Sequence, residues 1–362
     1  MDKRLYVDVN VIQTMPPNCA NRDDTGSPKT CMYGGVRRAR VSSQSWKRAT
    51  REYFHGKVDE NMLSVRTMKI VQMIADDIVD MNPEISMEDA LKKAEEILTV
   101  CGVKVAKKKK AADDAAPESS ALFFLSRQQS KNLATLAIDG NYDKKSAISA
   151  MNQGHGIDTA LFGRMVADNP LLNSDASAQV AHAISTHRVD NEYDYFTAVD
   201  EMAPEDNAGA GMIGTVEFNA STLYRYATVA VHDLKKQLDD ADVTVMAVKE
   251  FVRAFILSMP TGKQNTFANR SVPYAVYIAI RDDQPVNLAP AFESPVWADR
   301  DSGGFNEKSV SAMVKCEMDY RNDFIKTPVV TWQIGKGMEE LGPSFDLQTV
   351  LEELGLKISE RL

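Results

Sequence analysis

The sequence predicts an α+β protein in which an antiparallel sheet is backed by helices and carries a helical insertion and a projecting β-hairpin. Apolar residues alternate with period 2 in Leu5–Gln13, which is typical of a strand covered on one face. From about 61 to 185 they recur instead every three or four residues, which is typical of helices. Two hydrophobic arms surround a Gly-rich tip in Val189–Thr215, which indicates an extended hairpin.

The helical pattern of the insertion is interrupted by one stretch of low complexity. Lys104–Glu118 includes the lysine run Lys107–Lys110 and predicts a flexible, solvated loop, with nonspecific nucleic-acid contact as the alternative. The periodicity predicts helices in Leu63–Met81, Met87–Cys101, Ser120–Ala137 and Tyr142–Met151.

Strand character returns late in the chain, so the sheet is expected to combine distant segments. Thr215–His232 and Val272–Ile280 predict strands, and Thr244–Met259 predicts an apolar helix ended by Pro260. Beyond Arg281 the sequence predicts a Pro-rich crossing, a helix near Asn306–Asp323 and a tail.

Composition favours a soluble, cytoplasmic protein with reduced thiols. The 362 residues are 44% hydrophobic, which is enough for a substantial core, and no apolar run is long enough to span a membrane. The four cysteines are scattered without a C-x-x-C pair. His182 and His187 have no acidic or cysteine neighbour at metal-ligand spacing, so they are expected to be structural, and no metal or other cofactor is predicted.

One stretch, Asn21–Arg51, is cationic in an otherwise anionic chain. It holds eight basic residues and two acidic ones, whereas the whole chain has a net charge of −9. This contrast predicts a local binding site for a polyanion.

Local patterns in this stretch indicate how it would bind phosphates. Gly34 and Gly35 allow a close backbone approach, and the strand pattern that follows carries Arg38 and Arg40 on one side. Ser42 and Ser43 are candidate N-caps whose hydroxyls, with the free N–H groups of a first helical turn, suit a phosphate. The helix after them would present Gln44, Lys47, Arg48 and Arg51 on one face and Trp46, Ala49 and Tyr53 on the other. An ordinary amphipathic helix with a solvated face is the alternative.

A second basic polar loop, Gly262–Arg270, contains Lys263 and Gln264 and is predicted to face the same ligand. No run of stacking aromatics typical of a nucleic-acid-binding strand is visible, so we expect recognition through phosphates and shape.

Several motifs in the chain are distinctive. The first is the order NRDD, a lysine, then GG-x-RR-x-R-x-SSQS-x-KRA in the basic stretch. The other motifs are GRM at 163–165, AHAISTHRVDNEYDYFTAVD at 181–200, GTVEF at 214–218, LYRYA at 223–227 and GKQNTFA at 262–268. Together they resemble the CasC family, the repeated backbone subunit of the type I-E CRISPR surveillance complex Cascade. The resemblance covers most of the chain up to about Arg270 and is loose beyond it.

The resemblance implies an RRM-like (ferredoxin-like) palm with helical fingers and a thumb hairpin. The corresponding ranges are 1–59 for the first part of the palm, 60–188 for the fingers, 189–215 for the thumb and 216–362 for the rest of the palm. It also implies a non-enzymatic subunit that binds CRISPR RNA and polymerises head to tail along it. Its partners would be copies of itself, other Cascade subunits and, through the guide, target DNA.

By the same resemblance, individual residues receive expected roles. Met165 and Ile213 correspond to apolar groups that bracket a displaced nucleotide, with core packing as the alternative for Met165. Lys144 and Lys145 correspond to lysines offered to duplex DNA, whereas Lys107–Lys110 has no counterpart. Positions corresponding to those that hold the guide backbone are Arg22, Lys29, Arg40, Ser42, Gln44, Lys47 and Arg51.

Two further hypotheses concern the hairpin and catalysis. Tyr195 and Phe196 lie on an apolar arm, and such arms generally need a partner surface, here a neighbouring subunit. The strongest alternative function is a metal-dependent ribonuclease that uses Asp23 and Asp24, although adjacent carboxylates rarely both reach one ion.

Overall fold

The computed structural model of the protein describes residues 4–107, 116–198, 202, 212–298, 300–301 and 303–362. The polar tip of the predicted hairpin and residues 108–110 of the lysine run therefore lie outside the described residues. Two compact units are present. Unit 1 comprises 1–53, 180–228 and 251–356, and unit 2 comprises 54–179, 229–250 and 357–362.

The strands are β1 (Tyr6–Asn18), β2 (Thr30–Tyr33), β3 (Val36–Val41), β4 (Ser64–Thr67), β5 (Val105–Ala106), β6 (Glu118–Ser119), β7 (Phe123–Ser126), β8 (Ala178–Val180), β9 (Ala183–Ser185), β10 (Glu192–Ala198), β11 (Met212–Ala230), β12 (Ala275–Arg281) and β13 (Val330–Ile334).

The α-helices are α1 (Ser43–Phe54), α2 (Ile70–Met81), α3 (Met87–Val100), α4 (Arg127–Asp139), α5 (Lys144–Asn152), α6 (Ile157–Phe162), α7 (Val231–Leu238), α8 (Ala241–Leu257), α9 (Gln264–Phe267), α10 (Asn306–Asp323) and α11 (Leu347–Ser359). Short 3₁₀ helices cover Glu60–Met62, Pro170–Leu172 and Ala289–Phe292.

A large sheet organises unit 1, with the strand order β13-β12-β1-β11-β9-β3-β2. Its pairs β1–β12, β12–β13, β9–β11, β3–β9 and β2–β3 are antiparallel. This confirms the α+β class and the assembly of the sheet from distant segments, but the sheet is larger than the sequence predicts. Strand β9 lies in the segment that the sequence predicts as the helical insertion, and strand β13 lies in the segment predicted as a tail.

The central strand β1 corrects the prediction of a strand covered on one face only. Val7 to Gln13 are all buried, including the polar residues Asp8 and Asn10. Their side-chain oxygens accept internal hydrogen bonds, from Arg281 Nε to Asp8 at 2.8 Å and from Tyr224 Oη to Asn10 at 2.7 Å, whereas Asn10 Nδ2 has no partner among the described residues. Arg281 also pairs with the buried Glu317, so an ion network replaces the expected solvent on the polar face.

Unit 2 has a separate apolar core, which α2, α3, α4 and α5 form together with β7. The predicted helices are confirmed in α2, α3, α4 and α5, but the chain is extended at 64–67 and 123–126, where β4 and β7 pair with each other. Ser126 then caps α4 with a reciprocal capping box to Gln129. Residues 229–250 and 357–362 also belong to this unit, which the predicted range 60–188 does not include.

The C-terminal segment and the cysteines were also the subject of sequence predictions. Asn306–Asp323 forms the predicted helix, whereas the predicted tail forms β13 and α11. All four cysteines are free thiols. Among the described residues, no helix is long and apolar enough to cross a membrane.

Candidate nucleic-acid interface

The β2–β3 hairpin of unit 1 turns at Gly34 and Gly35, with φ values of 57° and 75°. A Cβ on Gly34 would lie 1.6 Å from the carbonyl oxygen of Glu293, so only glycine fits. The sequence predicts that Gly34 allows a ligand to approach the backbone closely. In the structure, it is the backbone of Glu293 that approaches Gly34.

Arg38 is a correction to the predicted RNA-contacting set. Its side chain is buried, and its guanidinium donates to carbonyl oxygens of Tyr33 (3.2 Å), Ser185 (3.0 Å) and Phe292 (2.8 Å). These bonds tie β3 to β9 and to the 3₁₀ helix at Ala289–Phe292. Because the guanidinium is enclosed by the protein's own carbonyl groups, we assign Arg38 a structural role.

Arg40, two residues further along β3, remains partly accessible. Its Nε donates to the Thr30 carbonyl at 3.3 Å, and Nη1 lies 3.2 Å from His182 Nδ1. The pKa of His182 is lowered mainly by burial and further by the charges of Arg40 and Lys29. The charges of Arg40 and Lys29 therefore both disfavour protonation of His182.

The second predicted histidine, His187, is buried in a fixed tautomer. Nδ1 lies 2.8 Å from the Arg188 carbonyl and donates to it, and Nε2 accepts from the Thr222 N–H at 3.0 Å. Its ring stacks on Phe305 with centroids 3.7 Å apart. Both nitrogens are occupied, so this histidine is structural.

The loop before β2 is held by its own hydrogen bonds. The Asn21 side-chain oxygen accepts from the Ser42 N–H at 2.9 Å. Asp23 Oδ1 accepts from Thr25 Oγ1, Thr25 N and Ser27 N at 2.7–3.0 Å. These bonds lower the pKa of Asp23, and the bond from the Thr25 hydroxyl has the largest effect. Asp23 therefore serves as a loop-stabilising carboxylate, while Arg22 is exposed.

Helix α1 begins directly after Ser42, as predicted. Ser42 Oγ accepts from the Ser45 N–H at 3.4 Å, and the Ser42 side chain is itself buried. Trp46 and Ala49 are buried on the inner face, whereas Gln44 and Arg48 are exposed. The predicted amphipathic orientation of α1 is confirmed.

The cations of α1 differ in their surroundings. Arg48 Nε bonds Glu52 at 2.7 Å across one helical turn. Lys47 and Arg51 are half-buried, and desolvation lowers the pKa of Lys47. Because both side chains are half-buried, they have less conformational freedom than fully solvated cations.

A cavity of about 530 Å³ joins the loop, α1 and the second basic loop within unit 1. The loop before β2 and the second basic loop approach each other closely at Gly262, where an added Cβ would lie 2.3 Å from the Ala20 carbonyl oxygen. Lys263 does not line this cavity, and Gln264 lines a smaller adjoining one of about 110 Å³. Residues lining the larger cavity are Ala20, Asn21, Arg22, Asp23, Asp24, Gly26, Ser45, Arg48, Ala49, Glu52, Pro260, Thr261 and Gly262.

In unit 2, Met165 is 86% exposed, which excludes the core-packing alternative. Its neighbours are fixed: Arg164 and Ser174 exchange two backbone hydrogen bonds of 2.9 Å, and the Val166 N–H donates to Asn173 at 2.7 Å. The buried Arg164 guanidinium donates to the Leu172 carbonyl at 3.0 Å and also reaches Phe124, Met151 and Asn152. A rigid platform thus projects an apolar side chain into solvent.

Lys144 and Lys145 open helix α5 of the same unit and are both exposed. Asp143 caps the helix through a capping box with Ser146. Cations in a first turn oppose the helix dipole, so these lysines do not stabilise α5.

The predicted hairpin of unit 1 is confirmed in its arms: β10 pairs with β11 from Glu192↔Phe218 to Ala198↔Met212. Every residue of β10 is exposed. Phe196 covers Gly214, where a Cβ would lie 2.4 Å from the ring. Tyr195 is 63% exposed and Ile213 is 62% exposed. The arms therefore carry apolar side chains without cover from the described residues.

A sequence model of the CT1975-like protein family matches residues 7–356. The chain belongs to this family. The resemblance to CasC drawn from the motifs is thereby confirmed, and it extends beyond Arg270. No curated protein sequence matches the chain.

Two solved structures show the same relationship for this CT1975-like protein. A chain described as "CRISPR RNA-guided surveillance complex, pre-nicking" is 31% identical, with a TM-score of 0.83, over 99% of this chain and 100% of that chain. A chain described as "CRISPR RNA-guided surveillance complex" is 27% identical, with a TM-score of 0.71, over 96% of this chain and 99% of that chain.

Proposed function

We propose that this protein is a CRISPR RNA-binding backbone subunit of a type I-E Cascade complex, without chemistry of its own. The observation that carries the proposal is that the cationic stretch Asn21–Arg51 supplies Arg22 and Arg48 to one cavity of unit 1, in a chain related over nearly its whole length to a subunit of an RNA-guided complex. The cavity presents Arg22, Arg48 and the capped start of α1, which are suited to phosphates rather than to base edges.

Phosphate contact without base readout suits a guide whose sequence varies. In this proposal Lys29, Arg40, Gln44, Lys47 and Arg51 continue the contacts beyond the cavity. Ser42 and Ser43 contribute the helix start, and Lys263 and Gln264 contribute the second loop. Sequence is then read by base pairing between guide and target DNA.

The exposed apolar side chains complete the proposal. Met165 and Ile213 are wedges that hold a displaced nucleotide, since an apolar wedge unstacks a base regardless of its identity. The exposed Tyr195 and Phe196 dock on the next copy in a head-to-tail assembly. Lys144 and Lys145 contact duplex DNA.

The finer domain assignment belongs to the same proposal. The RRM-like palm comprises 1–59 and 216–362, residues 60–188 are the fingers, and 189–215 are the thumb, except that β9 belongs to the sheet of unit 1 and residues 229–250 belong to unit 2. Other Cascade subunits complete the assembly, in the cytoplasm.

The test is whether RNA co-purifies when the protein is produced together with a CRISPR array. We expect RNA of uniform guide length in a stable multimer, measured by denaturing gel electrophoresis and light scattering. Protein that elutes free of nucleic acid and does not bind added guide RNA would contradict the proposal.

A ribonuclease remains the second candidate, because Asp23, Asp24 and Glu52 all line the same cavity. Two of these carboxylates are engaged: Asp23 by its own loop and Glu52 by Arg48. Incubation with target RNA and Mg²⁺ or Mn²⁺ separates the two functions. Cleavage that Asp24→Ala abolishes would establish the ribonuclease and overturn the non-enzymatic proposal.

A further inference from the structure

Beneath helix α1 lies a buried arginine, Arg225 of β11. It is 1% exposed, and its guanidinium carbon is 3.7 Å from the centroid of the Trp46 ring and 4.7 Å from that of Phe255. The cation is thus sandwiched between the inner face of α1 and helix α8, which fixes the orientation of Trp46 through cation–π contact.

Arg225 has no counter-ion among the described residues. Its hydrogen-bond acceptors are the neutral Gln13 side-chain oxygen and the Phe255 carbonyl, and its Nε has no partner in that part of the chain. The buried Arg281, by contrast, pairs with both Asp8 and Glu317. Desolvation lowers the pKa of Arg225 to about 9, so the group stays charged at neutral pH.

A buried charge without a counter-ion lowers the stability of the fold. Fold stability alone therefore does not explain the presence of Arg225. Trp46 stands between Ser45, which lines the cavity, and Lys47. Because a helix with its side chains is about 10–12 Å across, the Arg225 charge lies roughly 10 Å behind the outer face of α1. The intervening material is an indole ring and helix backbone rather than water, so the field of the charge is weakly screened.

We propose that Arg225 is a second layer of the RNA-binding surface: a buried cation that attracts RNA phosphates through α1 and, by stacking on Trp46, holds the helix in its binding orientation. The proposal rests on the RNA-binding function above. Arg225 is a positioning and electrostatic residue that makes no contact with RNA. At an effective dielectric constant of about 20, one charge at about 10 Å from a phosphate changes affinity roughly tenfold.

The chain offers a substitution that cancels this charge without removing the arginine. Gln13 is buried and its side-chain oxygen already accepts a hydrogen bond from Arg225 Nη1. Gln13→Glu has nearly the same shape and places a carboxylate on the guanidinium. It loses the bonds from Gln13 Nε2 to Ser271, at 3.0 and 3.3 Å, and Gln13→Met loses these bonds as well without adding charge. Gln13→Met is therefore the matched control.

The experiment measures guide-RNA affinity and thermal unfolding for the unmodified protein and both variants. We expect Gln13→Glu to bind RNA about three- to tenfold more weakly than Gln13→Met for every guide sequence, although its Tm is equal or higher. Equal affinities of the two folded variants would overturn the proposal.

A second pair keeps the proposal falsifiable if Gln13→Glu does not fold. Arg225→Lys retains the charge, whereas Arg225→Met retains approximate volume only, and we expect the lysine variant alone to keep most of the RNA affinity. If both variants lose affinity in proportion to their loss of Tm, Arg225 is structural only and the proposal is wrong. Failure of the unmodified protein to bind RNA would instead refute the function on which this inference rests.

Discussion

His155, in unit 2, is a titratable group whose folded environment requires the neutral form. Gln129 Nε2 lies 2.9 Å from its Nδ1, so the ring nitrogen accepts a hydrogen bond. Burial, then the charge of Arg164, lowers the pKa of His155 to about 4. Since the unfolded pKa is about 6.5, the unfolded chain binds the proton more tightly.

The linkage predicts acid sensitivity that depends on this one residue. The stabilising contribution of neutral His155 is complete above about pH 6.5 and is lost as the pH falls towards 4, by up to about 3 kcal/mol of unfolding free energy. Denaturant unfolding of the unmodified protein and of His155→Asn across this range measures it. We expect the difference between them to narrow as the pH falls; a constant difference would contradict the assignment.

For single residues, the sequence predicts which face of a helix or strand a side chain lies on better than it predicts whether that side chain is buried. Arg38 and Arg40 share one side of a strand, yet the first is buried by carbonyl oxygens that come from distant parts of the chain. No local pattern encodes such long-range partners. Met165 shows the converse, because this apolar residue is 86% exposed while the charged Arg164 beside it is buried.

Helix α1 is the element on which the phosphate-binding proposal depends most. Lys47→Ala with Arg51→Ala is expected to weaken RNA binding about equally for all guide sequences, because phosphates are common to all of them. The slope of log affinity against log salt should fall by about 0.7 for each phosphate that is no longer neutralised. Fluorescence anisotropy at several salt concentrations provides the measurement.

The matched control for these cations is Lys315→Ala with Lys326→Ala, two lysines that do not line the cavity. It should leave affinity and slope nearly unchanged. A weakening confined to particular guide sequences in the α1 variant would indicate base readout instead of phosphate binding.

Elements with strong local signals were predictable, and weakly patterned ones were not. The capped basic helix, the alternation of β1 and the apolar α8 are encoded in contiguous residues. Strand β13 is short, and it exists because Val276 to Ile280 pair with it in the sheet. The sheet size could not be predicted, since it depends on such late partners.

The exposed hairpin gives a prediction at the scale of the whole molecule. Replacing Tyr195 and Phe196 with Ser should leave a folded monomer that binds short RNA but forms no multimer on long RNA, because the apolar arm would no longer dock on the next copy. Analytical ultracentrifugation on long RNA measures the assembly.

Trp297→Ser with Phe324→Ser is the control for general loss of aromatic surface, since both are exposed and neither lies on the hairpin. Multimers of unchanged size in the hairpin variant would remove the hairpin from the interface. The sequence predicted the arms of this hairpin, but a partner surface is a property of the assembly, and a single chain does not encode its position in any local pattern.

The pairing of β1 with β12 also has a consequence during synthesis. The cationic stretch leaves the ribosome before the strand that completes its sheet, because residues 275–281 follow more than two hundred residues later. At a translation rate of about 5–20 residues per second, the stretch is made roughly 10 to 60 s before the framework that orients it. The growing chain therefore carries these cations before the sheet orients them, and the proposed selective binding of RNA begins only after residues 275–281 have emerged.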